Sequence, residues 1–126
     1  MMETSTHLKV LMEKDERSVC LGPDGAVAHI TRVLNMISGR WKLPILFRLY
    51  AEPSMRTSRL KRDMPGISQK VLTQHLRELE SDGLVTRTDF GELPLRVEYA
   101  LTDAGRDFMP VLIAARRFSE RHVIGR

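Results

Sequence analysis

The chain has 126 residues, of which 42% are hydrophobic and 29% charged, a size and balance that suit one globular domain with a modest core. Twenty Lys and Arg against sixteen Asp and Glu give a net charge of +4, which permits a polyanionic partner without demanding one. A single cysteine excludes an intramolecular disulfide, and the four histidines are too scattered for a metal site; with no HExxH, GxSxG or Gly-rich phosphate loop, the sequence gives no reason to expect a metal, a cofactor or catalysis.

Residues 1–22 read as a flexible leader, although LKVLM at 8–12 could form a short helix. With three basic and four acidic side chains up to residue 23, this segment is not a basic arm, and it lacks the pattern of a signal peptide. Nowhere do eighteen apolar residues follow one another, so a soluble, cytoplasmic protein without membrane contact is expected. Residues 23–126 read as one folded domain.

Pro23 and Asp24 are expected to open a helix whose Val27, Ile30, Val33, Leu34 and Ile37 keep helical spacing, with Ser38 and Gly39 breaking it. A second helix from about Trp41 to Ala51 would turn Leu43, Ile45, Leu46, Leu49 and Tyr50 inward, and Pro44 is tolerated in its first turn. A third, short helix runs from Thr57 or Ser58 to about Asp63, with Leu60 inward and Arg59, Lys61 and Arg62 toward water.

The stretch PGISQKVLTQHLRELESDGLV at 65–85 carries the most information. Ser68 can cap a helix, Ile67 and Leu72 form a hydrophobic staple, and Asp82 and Gly83 end it. On this helix Leu72, Leu76 and Leu79 share one side, while Lys70, Thr73, Gln74 and Arg77 share the other at i, i+3, i+4, i+7. Every member of the second set can hydrogen-bond to phosphates or base edges, as a DNA-reading helix requires. Lys70 and Arg77 suit phosphate or guanine, Gln74 suits adenine, and Ser68 and Gln69 lie at the helix's positive end where phosphate binds. Glu78 is expected to pair with Arg77 or with a neighbour one turn away, and His75 to sit at the core edge.

After Gly83 the period changes to two: Val97, Tyr99 and Leu101 alternate with Arg96, Glu98 and Ala100, with Val85 to Asp89 as antiparallel partner. FGELP at 90–94 forms a projecting loop with Gly91 free to take positive φ. Arg96, and Arg87 beside it, border this loop and could touch phosphates or enter a minor groove; the other use open to Arg96 is a cross-strand pair with Asp89, Glu92 or Glu98. Thr102 and Asp103 cap a last helix with Phe108, Val111, Leu112, Ala115 and Phe118 on one stripe, and Pro110 is expected to bend it.

That stripe, and Val27, Ile30 and Leu34 on the first helix, exceed what one small core needs, so a homodimer built from the terminal helices is expected. The expected fold class is α+β, mostly α: a winged helix-turn-helix with a two-stranded wing and terminal dimerisation helices. The same outer face could instead meet a protein, which leaves a winged-helix interaction module without DNA binding as the alternative function.

ISGRWKLPIL at 37–46, the stretch at 65–85, PLRVEYALTDAGR at 94–106 and MPVL at 109–112 follow one another in an order that resembles the HxlR-type transcriptional regulators over residues 26–118. The resemblance implies a dimeric, cytoplasmic, double-stranded-DNA-binding regulator that recognises a palindromic operator, open to modulation by a small molecule or an oxidant. Some members sense oxidants through a cysteine about ten residues ahead of the GKW-like motif; that place falls on Ala28 here, and Cys20, the chain's only candidate redox residue, lies eight residues upstream. Thr57 also departs from the family, whose members commonly carry an aromatic residue there.

Overall fold

The computed structural model describes residues 20–123, so nearly all of the proposed leader, including 8–12, lies outside the described residues. The chain divides between Ser38 and Gly39 into two units. In the first, helix α1 spans Ala26–Met36. It begins later than Pro23 and Asp24 suggest, at an extended Gly25 without a side-chain cap. None of its residues is buried: Val27, Ile30 and Leu34 are 48%, 58% and 57% exposed, an apolar stripe that nothing within this short helix can cover.

The second unit starts at Gly39, whose φ of 101° ends the preceding segment in a conformation that favours glycine. Helix α2 is Lys42–Ala51, with Ile45, Leu46 and Leu49 buried. One expectation changes here, and one residue that spacing did not single out turns inward. Tyr50 points outward at 43% exposure, and Lys42 is buried at 6% exposure, because Lys42 stands three residues before Ile45 and seven before Leu49, on the helix face that turns inward. After α2, strand β1 (Met55–Arg56) leads into helix α3 (Thr57–Arg62), which buries Leu60. Arg48 closes this corner: its guanidinium donates to Asp63 at 2.6 Å and to Glu52 at 3.0 Å, while Arg59 reaches Glu52 at 2.7 Å. Asp63, then Glu52, hold the Arg48 guanidinium more firmly protonated than usual.

Helix α4 covers Gln69–Ser81, and Ser68 caps it by accepting from the Val71 N–H at 3.1 Å. Leu72, Leu76 and Leu79 are fully buried, each stabilising the fold by roughly 1.5–3 kcal/mol, and the helix packs against α3 and β2. Gly83, at φ 80°, turns the chain into β2 (Val85–Asp89), which pairs with β3 (Val97–Leu101) in the register Val85 to Leu101 and Asp89 to Val97. The hairpin is not alone, since β1 pairs antiparallel with the other edge of β3, Met55 opposite Tyr99, to give the order β1-β3-β2. Two residues of strand are too short to leave a period in the sequence. The result is a mostly helical α+β fold with a small antiparallel sheet and a projecting wing at 90–96.

Helix α5 runs from Asp103 to His122, through Pro110. Its inward face is Gly105, Phe108, Met109 and Leu112, so the expected single stripe splits. Phe108 and Leu112 belong to the protomer's own core, whereas Val111 and Phe118 are 56% and 62% exposed and Ala115 is exposed beside them. Among the described residues no helix is long and apolar enough to cross a membrane.

Thr102 fixes the start of α5 three times: its hydroxyl donates to the Gly83 carbonyl at 2.6 Å and accepts from the Gly105 N–H at 3.0 Å, while its own N–H donates to the Leu84 carbonyl at 3.0 Å. The Leu84 carbonyl then lies so close to Gly105 that a Cβ there would overlap it. Alanine normally stabilises a helix interior relative to glycine by about 0.5–1 kcal/mol. Here Gly105→Ala is expected to do the opposite and cost about 1–3 kcal/mol in urea unfolding; a neutral or stabilising result would show that the close approach is relieved at no cost.

Candidate nucleic-acid interface

The outer side of α4 follows from its inner side. With three leucines fixed in the core, the helix cannot rotate, and a rise of about 1.5 Å per residue sets Gln69, Lys70, Thr73, Gln74 and Arg77 along the opposite wall. Together with Glu78 and Ser81 they line one open surface. Gln69 donates to the Thr73 hydroxyl at 3.2 Å, and Gln74 donates to Glu78 Oε2 at 3.1 Å. Among the described residues, neither Lys70 nor Arg77 has a carboxylate partner. The surface therefore offers two cations without ion-pair partners and several rotatable donors and acceptors, running from the helix's free N–H end at Gln69 and Lys70 to its last turn at Ser81.

Glu78 does not pair with Arg77. Its Oε1 lies 2.7 Å from the Nζ of the buried Lys42, so the carboxylate on the outer wall is answered by a cation from behind. Lys42 first, and Gln74 second, hold the Glu78 carboxyl below the usual glutamate range. The expectation of a partner one turn away is met by Gln74. His75 sits at the core edge with its side chain 18% exposed and Nδ1 3.9 Å from Glu78; that Nδ1 is buried without a hydrogen-bond partner.

On the wing, Arg96 is bound into the hairpin. Its Nε donates to Glu98 at 2.9 Å, its Nη1 to Glu92 at 3.3 Å, and its guanidinium stacks 4.0 Å from the Phe90 ring centre. Glu98 above all, with Glu92, holds it protonated. Of the two uses open to Arg96 in the sequence, the carboxylate pairing is the one formed here, and Arg96 would meet a phosphate only by leaving it or sharing its remaining N–H. Arg87, by contrast, lines together with Arg77 a cleft of about 530 Å³ to which Thr57, Thr73, Glu80, Leu95, Val97 and Tyr99 also contribute. Sequence spacing could not place these two arginines together, because they belong to different elements. Cys20 lies in the first unit, partly exposed.

Residues 36–124 match the family model for HxlR-like helix-turn-helix proteins. The uncharacterized HTH-type transcriptional regulator YdzF of Bacillus subtilis is 46% identical over 79 residues, 63% of this chain and 72% of that protein. A crystal structure of a transcriptional regulator described as of the MarR family, from Enterococcus faecalis V583, superposes with a TM-score of 0.71 at 41% identity, covering 75% of this chain and 84% of the other. The redox regulator HypR in its oxidized form superposes with a TM-score of 0.66 at 33% identity, covering 74% and 95%.

The wing's brace carries a pH dependence. Ser54, donating at 2.6 Å, and then Arg96 hold the Glu98 carboxyl below the usual glutamate range. A carboxylate lowered in the folded state contributes stability that is fully present above the unfolded value, about 4.3, and is lost as pH falls through the folded value. Glu98→Gln is therefore expected to melt below the wild type at pH 7 and to converge with it as the pH falls through and below the lowered folded value of this carboxyl. A melting-temperature gap that persists unchanged in acid would contradict the brace.

Proposed function

The chain belongs to the HxlR-like helix-turn-helix family of transcriptional regulators, which are not enzymes, and from that membership we propose that it binds double-stranded DNA sequence-specifically as a homodimer on a palindromic operator. The observation that carries this is the outer wall of α4, where Lys70 and Arg77 lack carboxylate partners among the described residues and stand beside Thr73 and Gln74 on a helix locked by its leucines. Such a rod, about four turns long, fits a major groove about 12 Å wide. Ser68 and Gln69 bring the helix's N-terminal dipole to a phosphate, Gln74 and Arg77 meet base edges, and Arg87 and Arg96 approach the neighbouring backbone from the wing.

Pairing rests on exposed apolar surface. Val27, Ile30 and Leu34 on α1 and Val111, Ala115 and Phe118 on α5 remain uncovered in one protomer, with Phe108 and Leu112 packed beneath the α5 stripe. A second copy of the chain would cover each stripe, and a two-fold pair places two reading helices about 34 Å apart on one DNA face. A small molecule or an oxidant that favours one spacing of those helices over another would control binding. With Cys20 as the only thiol, any disulfide formed on oxidation has to join two copies or hold a small-molecule thiol. The proposed site of action is the cytoplasm.

Two measurements bear on this. Arg77→Ala is expected to weaken operator binding in gel shifts by about 1–3 kcal/mol and to relax preference at one position; unchanged affinity would remove Arg77 from the interface, and a wild type whose affinity for DNA ignores salt would point to a protein partner instead. In light scattering the wild type is expected at twice its 14.4 kDa chain mass, and Phe118→Glu at the mass of one chain. A monomeric wild type at micromolar concentration would refute the dimer.

A further inference from the structure

Lys42 is the one buried charged side chain among the described residues. An ammonium withdrawn from water is costly, and replacing such a group by an apolar one of equal size is often neutral or stabilising, so stability alone gives no reason for a lysine here. What Lys42 touches supplies one. Its Nζ holds Glu78 Oε1 at 2.7 Å, and the other oxygen, Oε2, receives an N–H of Gln74 at 3.1 Å. Lys42, Glu78 and Gln74 thus form a chain from the inside of α2 to the outer wall of α4.

We propose that Lys42, acting through Glu78, is a positioning residue that fixes the orientation of the Gln74 amide and thereby sets a preference for adenine over guanine at one base pair. An ionised carboxylate only accepts hydrogen bonds, so the amide must turn its NH₂ group toward Glu78. One N–H is then used, and the amide has one N–H and its carbonyl oxygen left. Adenine presents one acceptor and one donor in the major groove, N7 and the N6 amino group, and takes that pair bidentately. Guanine presents two acceptors, N7 and O6, and would leave the carbonyl oxygen facing another acceptor. The Lys42 charge has a second effect: it offsets a carboxylate that would otherwise stand unbalanced on a surface meeting phosphates.

This inference rests on the DNA-reading role proposed above, and the test separates the two. Duplexes are enriched from a random pool with the full-length wild type, and each position of the enriched site is then substituted and its affinity measured for wild type, Gln74→Ala, Glu78→Gln and Lys42→Met. Gln74→Ala identifies the base pair that Gln74 reads. At that pair, Glu78→Gln, whose amide can either donate or accept, and Lys42→Met are each expected to lower the preference for adenine over guanine about tenfold, with preferences at other positions kept. In the Gln74→Ala background neither substitution is expected to change it further.

A preference that survives Glu78→Gln and Lys42→Met, or a loss spread evenly over all positions, overturns the positioning role. So does an enriched site at which Gln74→Ala alters no base preference, while DNA reading stands. If the wild type enriches no duplex, both ideas fall together. Should Lys42→Met melt far below the wild type, Glu78→Gln decides alone: its side chain is 43% exposed, its amide oxygen can still accept from the Lys42 ammonium, and its own melting temperature, compared with the wild type, shows whether the fold tolerates the lost charge.

Discussion

Everything functional here depends on α4 being unable to turn. Leu72, Leu76 and Leu79 are wholly removed from water, and losing any one to alanine costs about 2–5 kcal/mol, so the helix has one rotational setting. The polar wall is the geometric complement of that setting. A reading surface needs side chains placed to within about half an ångström, and buried leucines do this better than polar contacts do, since close packing leaves no second arrangement of similar energy.

The remaining elements hold this helix in place from three directions. Arg48, Glu52, Arg59 and Asp63 tie the end of α2 to α3, which packs on α4. Thr102 clamps the segment after α4 to the start of α5 with two hydrogen bonds, to the Gly83 and Leu84 carbonyls, and Gly105 lets the two backbones meet. Lys42 reaches the outer wall from α2. Of these ties only the last touches a residue of the proposed interface, which is why it bears on specificity while the others bear on stability.

Much of this was legible in the sequence where a local rule acts alone. Ser68 and Gly83 mark the ends of α4 because caps are set by nearest neighbours, and the change from helical to alternating spacing after Gly83 locates both hairpin strands. What stayed hidden needed knowledge of partners distant in the chain. Strand β1 has too few residues to show a period and is defined by β3. Lys42 has the right spacing for the inner face of α2, yet its charge argues for water until Glu78 is found beside it. On α5 Met109 is buried where Val111 of the expected stripe is exposed, because β3 and α2, which pack on this helix, decide which of the two apolar residues is covered. Arg96 carries both a phosphate contact and a carboxylate pair as open readings until Glu92 and Glu98 are seen to close around it.

The most direct measurement is an NMR titration of the isotopically labelled, full-length protein with its enriched duplex. The expected result is that the largest shift changes fall on the Gln74 side-chain amide and on the backbone of residues 68–77, with the buried leucines of the same helix little moved. Changes concentrated on the outer stripe of α5 or on the inner face of α2, with the Gln74 amide unaltered, would contradict the central claim that the polar wall of α4 is what meets DNA.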